Sequence, residues 1–187
     1  VCIDILKHYR EHIQPNGFKA MIVTSSRHAT TVYKKMLDEL DAPESRVIIS
    51  GDHNDPEYLR QYTDSTKQKQ YITDFTKPLN ESPISILIVK DMLLTGFDSP
   101  VCQVMYLDRK ITDHNLLQAI ARVNRTYEDK QCGFIVDYYG LSDYLTEALD
   151  MFTSADIKGA LRNLKEELPK LQACHTSAMR YFKDVDK

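Results

Sequence analysis

No apolar run in this sequence comes near the roughly 20 residues that a membrane-crossing helix requires, and no signal peptide opens it. A membrane anchor or membrane partner is therefore not expected. No pair of the four cysteines, Cys2, Cys102, Cys132 and Cys174, is spaced as CxxC. Buried reduced thiols in a cytoplasmic protein account for them best. His8 and His12 stand four apart on an expected helix but lack an acidic or cysteine third ligand at a telling position, so no metal site is assigned. There are no internal repeats and no low-complexity tracts. The first residues, Val1-Cys2-Ile3-Asp4, lack an initiator Met and suggest an internal cut.

What is present suits one soluble α/β domain with an appendage. The 187 residues are 42% hydrophobic and 27% charged, with a net charge of −3. That charge advertises no broad nucleic-acid-binding surface, although a local groove would not need one. Apolar spacing predicts a helix over 2–14, broken by Pro15-Asn16-Gly17, then a strand from Phe18 to Thr24. A serine-capped helix follows, carrying Ala29, Val32, Tyr33, Met36, Leu37 and Leu40. Further strands are expected at 46–50, 84–89, 103–107 and 133–137, with a short helix at 67–75. A polar stretch from Gly51 to about Ser65 carries few apolar residues and a Pro, and no element is assigned to it. Near-continuous Ile, Val and Leu strands alternating with helices imply a parallel sheet covered on both faces. We expect this core over 1–140 and a helical extension over 141–187.

Three segments carry chemistry, and all three are expected beyond the carboxyl ends of strands, where open parallel sheets bind ligands. Thr24-Ser25-Ser26-Arg27 places hydroxyls and amides at a helix N-terminus, which is either a phosphate cradle or a plain cap. Thr95-Gly96-Phe97-Asp98-Ser99-Pro100 offers a hydroxyl, a carboxylate and a glycine that frees the backbone for close approach. It can equally be a tight turn bonding its own backbone. In Gln118–Arg125 two arginines three apart, Arg122 and Arg125, should share one helical face. That helix should start at the cap cluster Thr112-Asp113-His114-Asn115 and bury Leu116, Leu117, Ile120, Ala121 and Val123. Such a pair suits a phosphoryl-transfer site, or else merely balances the negative helix end.

These residues resemble a known family. Ile84–Pro100 is similar to motif V of superfamily 2 helicases and translocases, Gln118–Arg125 to motif VI, and Lys19–Arg27 sits where motif IV belongs. Asp91–Asp98, Tyr106-Leu107-Asp108, Ala121–Arg125 and Gly133–Tyr138 together resemble the R subunit of type I restriction enzymes. Ala121 replaces the glycine of most superfamily members, as those R subunits tolerate. The resemblance implies a RecA-like fold with Arg125 as arginine finger and Arg122 beside it. It implies nucleotide contacts from Gly96 and Asp98, coupling by Gln118, and DNA-backbone contacts from Thr24, Ser25, Arg27 and Thr95.

No GxxxxGK[ST] phosphate loop and no acidic magnesium motif occur. ATP and Mg2+ would then be bound mainly by a first RecA-like domain, with a nuclease domain on the same parent chain. Duplex DNA and the methyltransferase and specificity subunits would be partners. The alternatives are another superfamily 2 DNA or RNA helicase, or a doubly wound binding module whose Arg122, Arg125 and Asp98 scatter over the surface.

Overall fold

A computed structural model describes residues 1–111, 113–127 and 130–140. By its contacts the chain divides into Val1–Leu145 and Thr146–Lys187. The expected extension over 141–187, Cys174 and the cap residue Thr112 lie outside the described residues.

The elements are α1 (Cys2–His8), β1 (Lys19–Thr24), α2 (Arg27–Glu39), β2 (Ser45–Ile48), α3 (Glu57–Arg60), α4 (Ser65–Phe75), β3 (Ile86–Val89), β4 (Cys102–Asp108), α5 (Asp113–Val123) and β5 (Phe134–Asp137). The five strands form one parallel sheet in the order β2-β3-β1-β4-β5. Successive side chains of a strand point to opposite faces, so each apolar strand feeds two cores. Ala20, Ile22, Ile86, Ile88, Val104 and Tyr106 pack with Ile5, Tyr9, Tyr33 and Leu37 of α1, its continuation and α2. Met21, Val23, Leu87, Val89, Met105 and Leu107 pack with Phe75, Leu116, Ala119 and Val123 of α4 and α5. This is the expected sheet flanked by helices.

Local chemistry explains the boundaries. The first helix runs on through a π-helical turn, Tyr9–Ile13, and ends at Gly17, whose φ of 80° closes it. Ser26 caps α2, its hydroxyl accepting from the Ala29 amide at 3.0 Å, and Asp64 caps α4 in the same way. The polar stretch holds more order than its composition suggests. It contains α3 and a buried Asp55, whose Oδ2 accepts from the Asp52 amide at 2.7 Å and from Arg27. The thiols divide: Cys102 is buried, Cys2 half-buried and Cys132 exposed, so burial does not hold for all of them.

Lys19 opens β1 with no exposed surface. Its ammonium donates to the Asp74 carbonyl at 3.3 Å and lies 5.4 Å from the centre of the Phe75 ring. Burial, opposed by the nearby Asp74 charge, lowers its pKa to about 8. The unfolded chain therefore binds this proton more tightly than the folded one does. Stability linked to Lys19 rises with pH between about 8 and 10.5 and is lost as pH falls across that window, the loss being complete below about 8. Lys19→Met is expected to raise the melting temperature below pH 8, by an amount that shrinks towards pH 10. Thermal melts across that range check it, and a constant gain would reject the titration.

Candidate functional site

Sequence order suggested one site on one edge, and the topology overturns this. Beyond the carboxyl end of β1 lies Thr24–Arg27, as expected. The loop leaving β3 does not stay there, because it must reach the amino end of β4 and so crosses the sheet. α5 likewise runs back from the end of β4 to the start of β5. Phe97, Asp98, Arg122 and Arg125 therefore gather at the amino-terminal edge. Three observations place them: Lys19 N bonds Val101 O at 3.0 Å, Gly133 N approaches Asn124 Oδ1 at 3.4 Å, and Gln103 Nε2 reaches Cys132 O at 3.3 Å. The seven-residue β4 separates the two edges by about 20 Å.

At the amino edge the two expected motifs meet. Arg122, in the last turn of α5, donates from Nη1 to the Phe97 carbonyl at 2.8 Å. Arg125 Nε lies 3.4 Å from Asp98 Oδ1, with about half of each side chain exposed. Gly96 has a φ of 71° and open space where a Cβ would sit, so backbone conformation requires it there. Thr95 is exposed between the buried Leu94 and Phe97. Phe97 wedges the loop into the core, its ring centre 6.3 Å from that of Phe75. Gln118 is half-buried on α5. Arg122, Arg125 and Asp98 are thus assembled, not scattered.

The helix itself differs from expectation in two respects. It ends at Val123, so Arg125 stands in the following segment and does not share a helical face with Arg122. Asn124 instead turns the chain towards Gly133. Among its described side chains Leu116, Ala119 and Val123 are buried, whereas Ala121 is exposed and Ile120 half-buried; the side chain of Leu117 lies outside the described ones.

At the carboxyl edge Ser25 is exposed, but Thr24 is fully buried, its hydroxyl donating to Ser26 O at 3.0 Å and Val89 O at 3.3 Å. That leaves no hydroxyl hydrogen for an outside phosphate. Arg27 is ion-paired with Asp55, whose carboxylate is only 5% exposed, and the Arg27 hydrogen bond holds that carboxyl below its usual range. Arg27 therefore braces the 51–56 segment. An unforeseen group stands at the same carboxyl edge: Asp91, just beyond β3, accepts from Lys90 at 2.7 Å and from Arg109, just beyond β4. Only the run Lys90-Asp91 at a strand end hinted at this group.

Two further residues escaped sequence reasoning. Lys130 donates to Pro100 O at 2.7 Å and Cys102 O at 2.8 Å, strapping the α5–β5 connection to the exit of the crossing loop. A Cβ on Gly133 would lie 2.2 Å from the Val123 carbonyl oxygen. A glycine directly before an apolar strand was the one available signal, and Lys130 gave none.

An all-parallel sheet with this edge defines the class, a RecA-like domain of the kind found in superfamily 2 helicases and translocases. A fragment of an HsdR subunit from Vibrio vulnificus superposes with a TM-score of 0.59 at 16% identity, over 76% of this chain and 28% of that one. The C-terminal part of the Fun30 ATPase domain does so with 0.55 at 16% identity, over 79% and 44%. Residues 49–140 match the family model for type I restriction enzyme subunit R domain 3. The HindI endonuclease subunit of Haemophilus influenzae is 35% identical over 84% of this chain and 16% of its own length. The MjaIXP endonuclease subunit of Methanocaldococcus jannaschii is 36% identical over 98% of this chain and 18% of its own length. The chain belongs to the type I restriction enzyme R-subunit family and spans less than a fifth of the length of these two relatives.

Gly133→Ala must push α5 away from β5 or strain both backbones. We expect a loss of about 1–3 kcal/mol, read as a lower midpoint in urea unfolding. An unchanged midpoint would show that the close approach is not required.

Proposed function

We propose that this chain is the second motor domain of an ATP-dependent duplex DNA translocase, the R subunit of a type I restriction enzyme. In the parent, ATP hydrolysis would move DNA before cleavage. The observation that carries this is the meeting of Arg122, Arg125, Gly96 and Asp98 on one edge. Arg125 projects from a braced segment with its guanidinium half exposed, ready to leave Asp98 for a more highly charged partner. A planar guanidinium matches the γ-phosphate oxygens in the transition state of phosphoryl transfer. Asp98 suits a sugar hydroxyl, and Gln118 would report nucleotide state to the domain interface. The first RecA-like domain of the parent would supply the phosphate loop and Mg2+, and the nuclease domain of the same chain would cut. The methyltransferase and specificity subunits would complete a cytoplasmic complex and read the DNA target.

The carboxyl edge would face the DNA backbone, through the exposed Ser25 and the amides of its loop, with Thr95 on the crossing loop. Backbone contact gives a motor grip without dependence on base sequence. Thr24 and Arg27 would act by shaping this loop, since both side chains are engaged within the domain.

The two arginines should behave differently when replaced in the parent subunit. Arg125→Ala should lower kcat of ATP hydrolysis about 10³–10⁵-fold while KM changes little. Its side chain is about half exposed and pairs with the exposed Asp98, so stability should stay within about 0.5 kcal/mol. Arg125→Lys should rescue poorly, because an ammonium lacks the planar fork. Arg122→Ala should lower both activity and melting temperature, since Phe97 O loses its donor. Steady-state kinetics beside thermal melts decide, and a stability loss with normal kcat for Arg125→Ala would refute the finger role.

This chain by itself should release no phosphate from ATP above blank, with or without DNA. Its arginines lack the opposing wall that holds the phosphates. A colorimetric phosphate assay tests this, and clear turnover would refute a site split between two domains.

A further inference from the structure

The carboxyl edge contains an unassigned group at the point where the fold favours a ligand. α2 leaves β1 towards one face of the sheet and α5 leaves β4 towards the other, as their separate cores show. A crevice opens between adjacent strands whose connections diverge in this way. β3, β1 and β4 are neighbours, with Val23 opposite Val89 and Thr24 opposite Asp108. Lys90 follows β3 and Arg109 follows β4, so the two cations flank the end of β1 and its exposed Ser25. The Asp91 carboxylate spans the gap, taking hydrogen bonds from Lys90 and Arg109. Arg109 is held in place by a further bond from Nη1 to the Lys90 carbonyl at 3.1 Å.

Exposure distinguishes this carboxylate from Asp55. Asp55 is 5% exposed and braces Arg27 from within. Asp91 is 57% exposed, and Lys90 and Arg109 are 38% and 23% exposed. Water and salt reach the exposed Asp91 side of these pairs and keep them weak, so an incoming anion can replace that carboxylate. A phosphodiester offers the same two-oxygen acceptor to an arginine fork.

We propose that Lys90 and Arg109 form a binding site for a DNA backbone phosphate over the end of β1, and that Asp91 is an internal anion which the phosphate displaces. This rests on the DNA-backbone role of the carboxyl edge and adds to it a competitor built into the chain. Each DNA contact here breaks the Asp91 pairs, so affinity is held down and the grip is released readily. A stepping motor needs a contact of that kind.

The test is fluorescence anisotropy of the full-length parent subunit with a duplex over a salt series. Asp91→Asn should tighten binding about two- to fivefold, the worth of an exposed pair. Arg109→Gln should weaken binding and reduce the slope of log affinity against log salt by about 1. The double variant should lose the gain seen with Asp91→Asn alone, because the gain passes through Arg109. A gain in affinity is a result that misfolding cannot produce. Unchanged or weaker binding by Asp91→Asn overturns the proposal, as does an equal gain in the Arg109→Gln background. If the wild-type parent binds duplex with normal salt dependence while the variants match it, this site alone is rejected. If the wild-type parent shows no salt-dependent binding, the DNA role of the edge falls with it.

Discussion

The bond from Arg122 to the Phe97 carbonyl joins two segments that would otherwise be independent. One is the twelve-residue connection 90–101, which has no regular structure of its own. The other is the end of α5. A long connection keeps one conformation only where side chains anchor it, and here Leu94 and Phe97 enter the core while Arg122 holds the Phe97 carbonyl. Lys130 secures the far end of the same connection, and the absent side chain of Gly133 lets β5 and α5 touch. Asp98 and Arg125 need make no strong contact of their own, because their backbones are already held. Their exposed pair can therefore remain weak and exchangeable.

Across the sheet the charges are sorted by burial. Asp55 is buried and, with the half-buried Arg27, acts as structure. Asp91 is exposed, so the half-buried Lys90 and Arg109 can exchange it for another partner. The same residue types serve both purposes, and solvent decides which. Desolvation makes separating a buried pair costly, whereas water and salt readily replace an exposed one. Partial burial works to raise the Asp91 pKa, yet the bonds from Lys90 and Arg109 outweigh it and leave the carboxyl below its usual range. It is therefore a full negative charge at neutral pH.

The sheet was legible because Met21–Val23, Ile86–Val89 and Val104–Leu107 are apolar at every position, a pattern that only strands buried on both faces require. Motif wording located Asp98, Arg122 and Arg125 correctly as neighbours. Their edge was misplaced, since wording records order along the chain and not the direction in which a connection crosses a sheet. The end of α5 was also extended past Val123. Arg125 and Arg122 have helical spacing, but the approach to Gly133 stops the helix first, and that approach belongs to the tertiary structure. Order in the segment after Gly51 was hidden for a related reason. It depends on one buried carboxylate meeting an arginine 28 residues earlier, and local composition carries no trace of such a pairing.

The central position of β1 has a consequence for how the chain is made. Its neighbours β3 and β4 begin at residues 86 and 102, so roughly 60 to 80 more residues must be synthesised before β1 can pair on either side. At about 5–20 residues per second, that interval is roughly 3 to 16 s. Throughout it, Ala20, Met21, Ile22 and Val23 have no strand to hydrogen-bond and no completed core to enter. The nascent chain therefore passes through a stage in which an apolar, aggregation-prone segment awaits partners that the ribosome has yet to deliver.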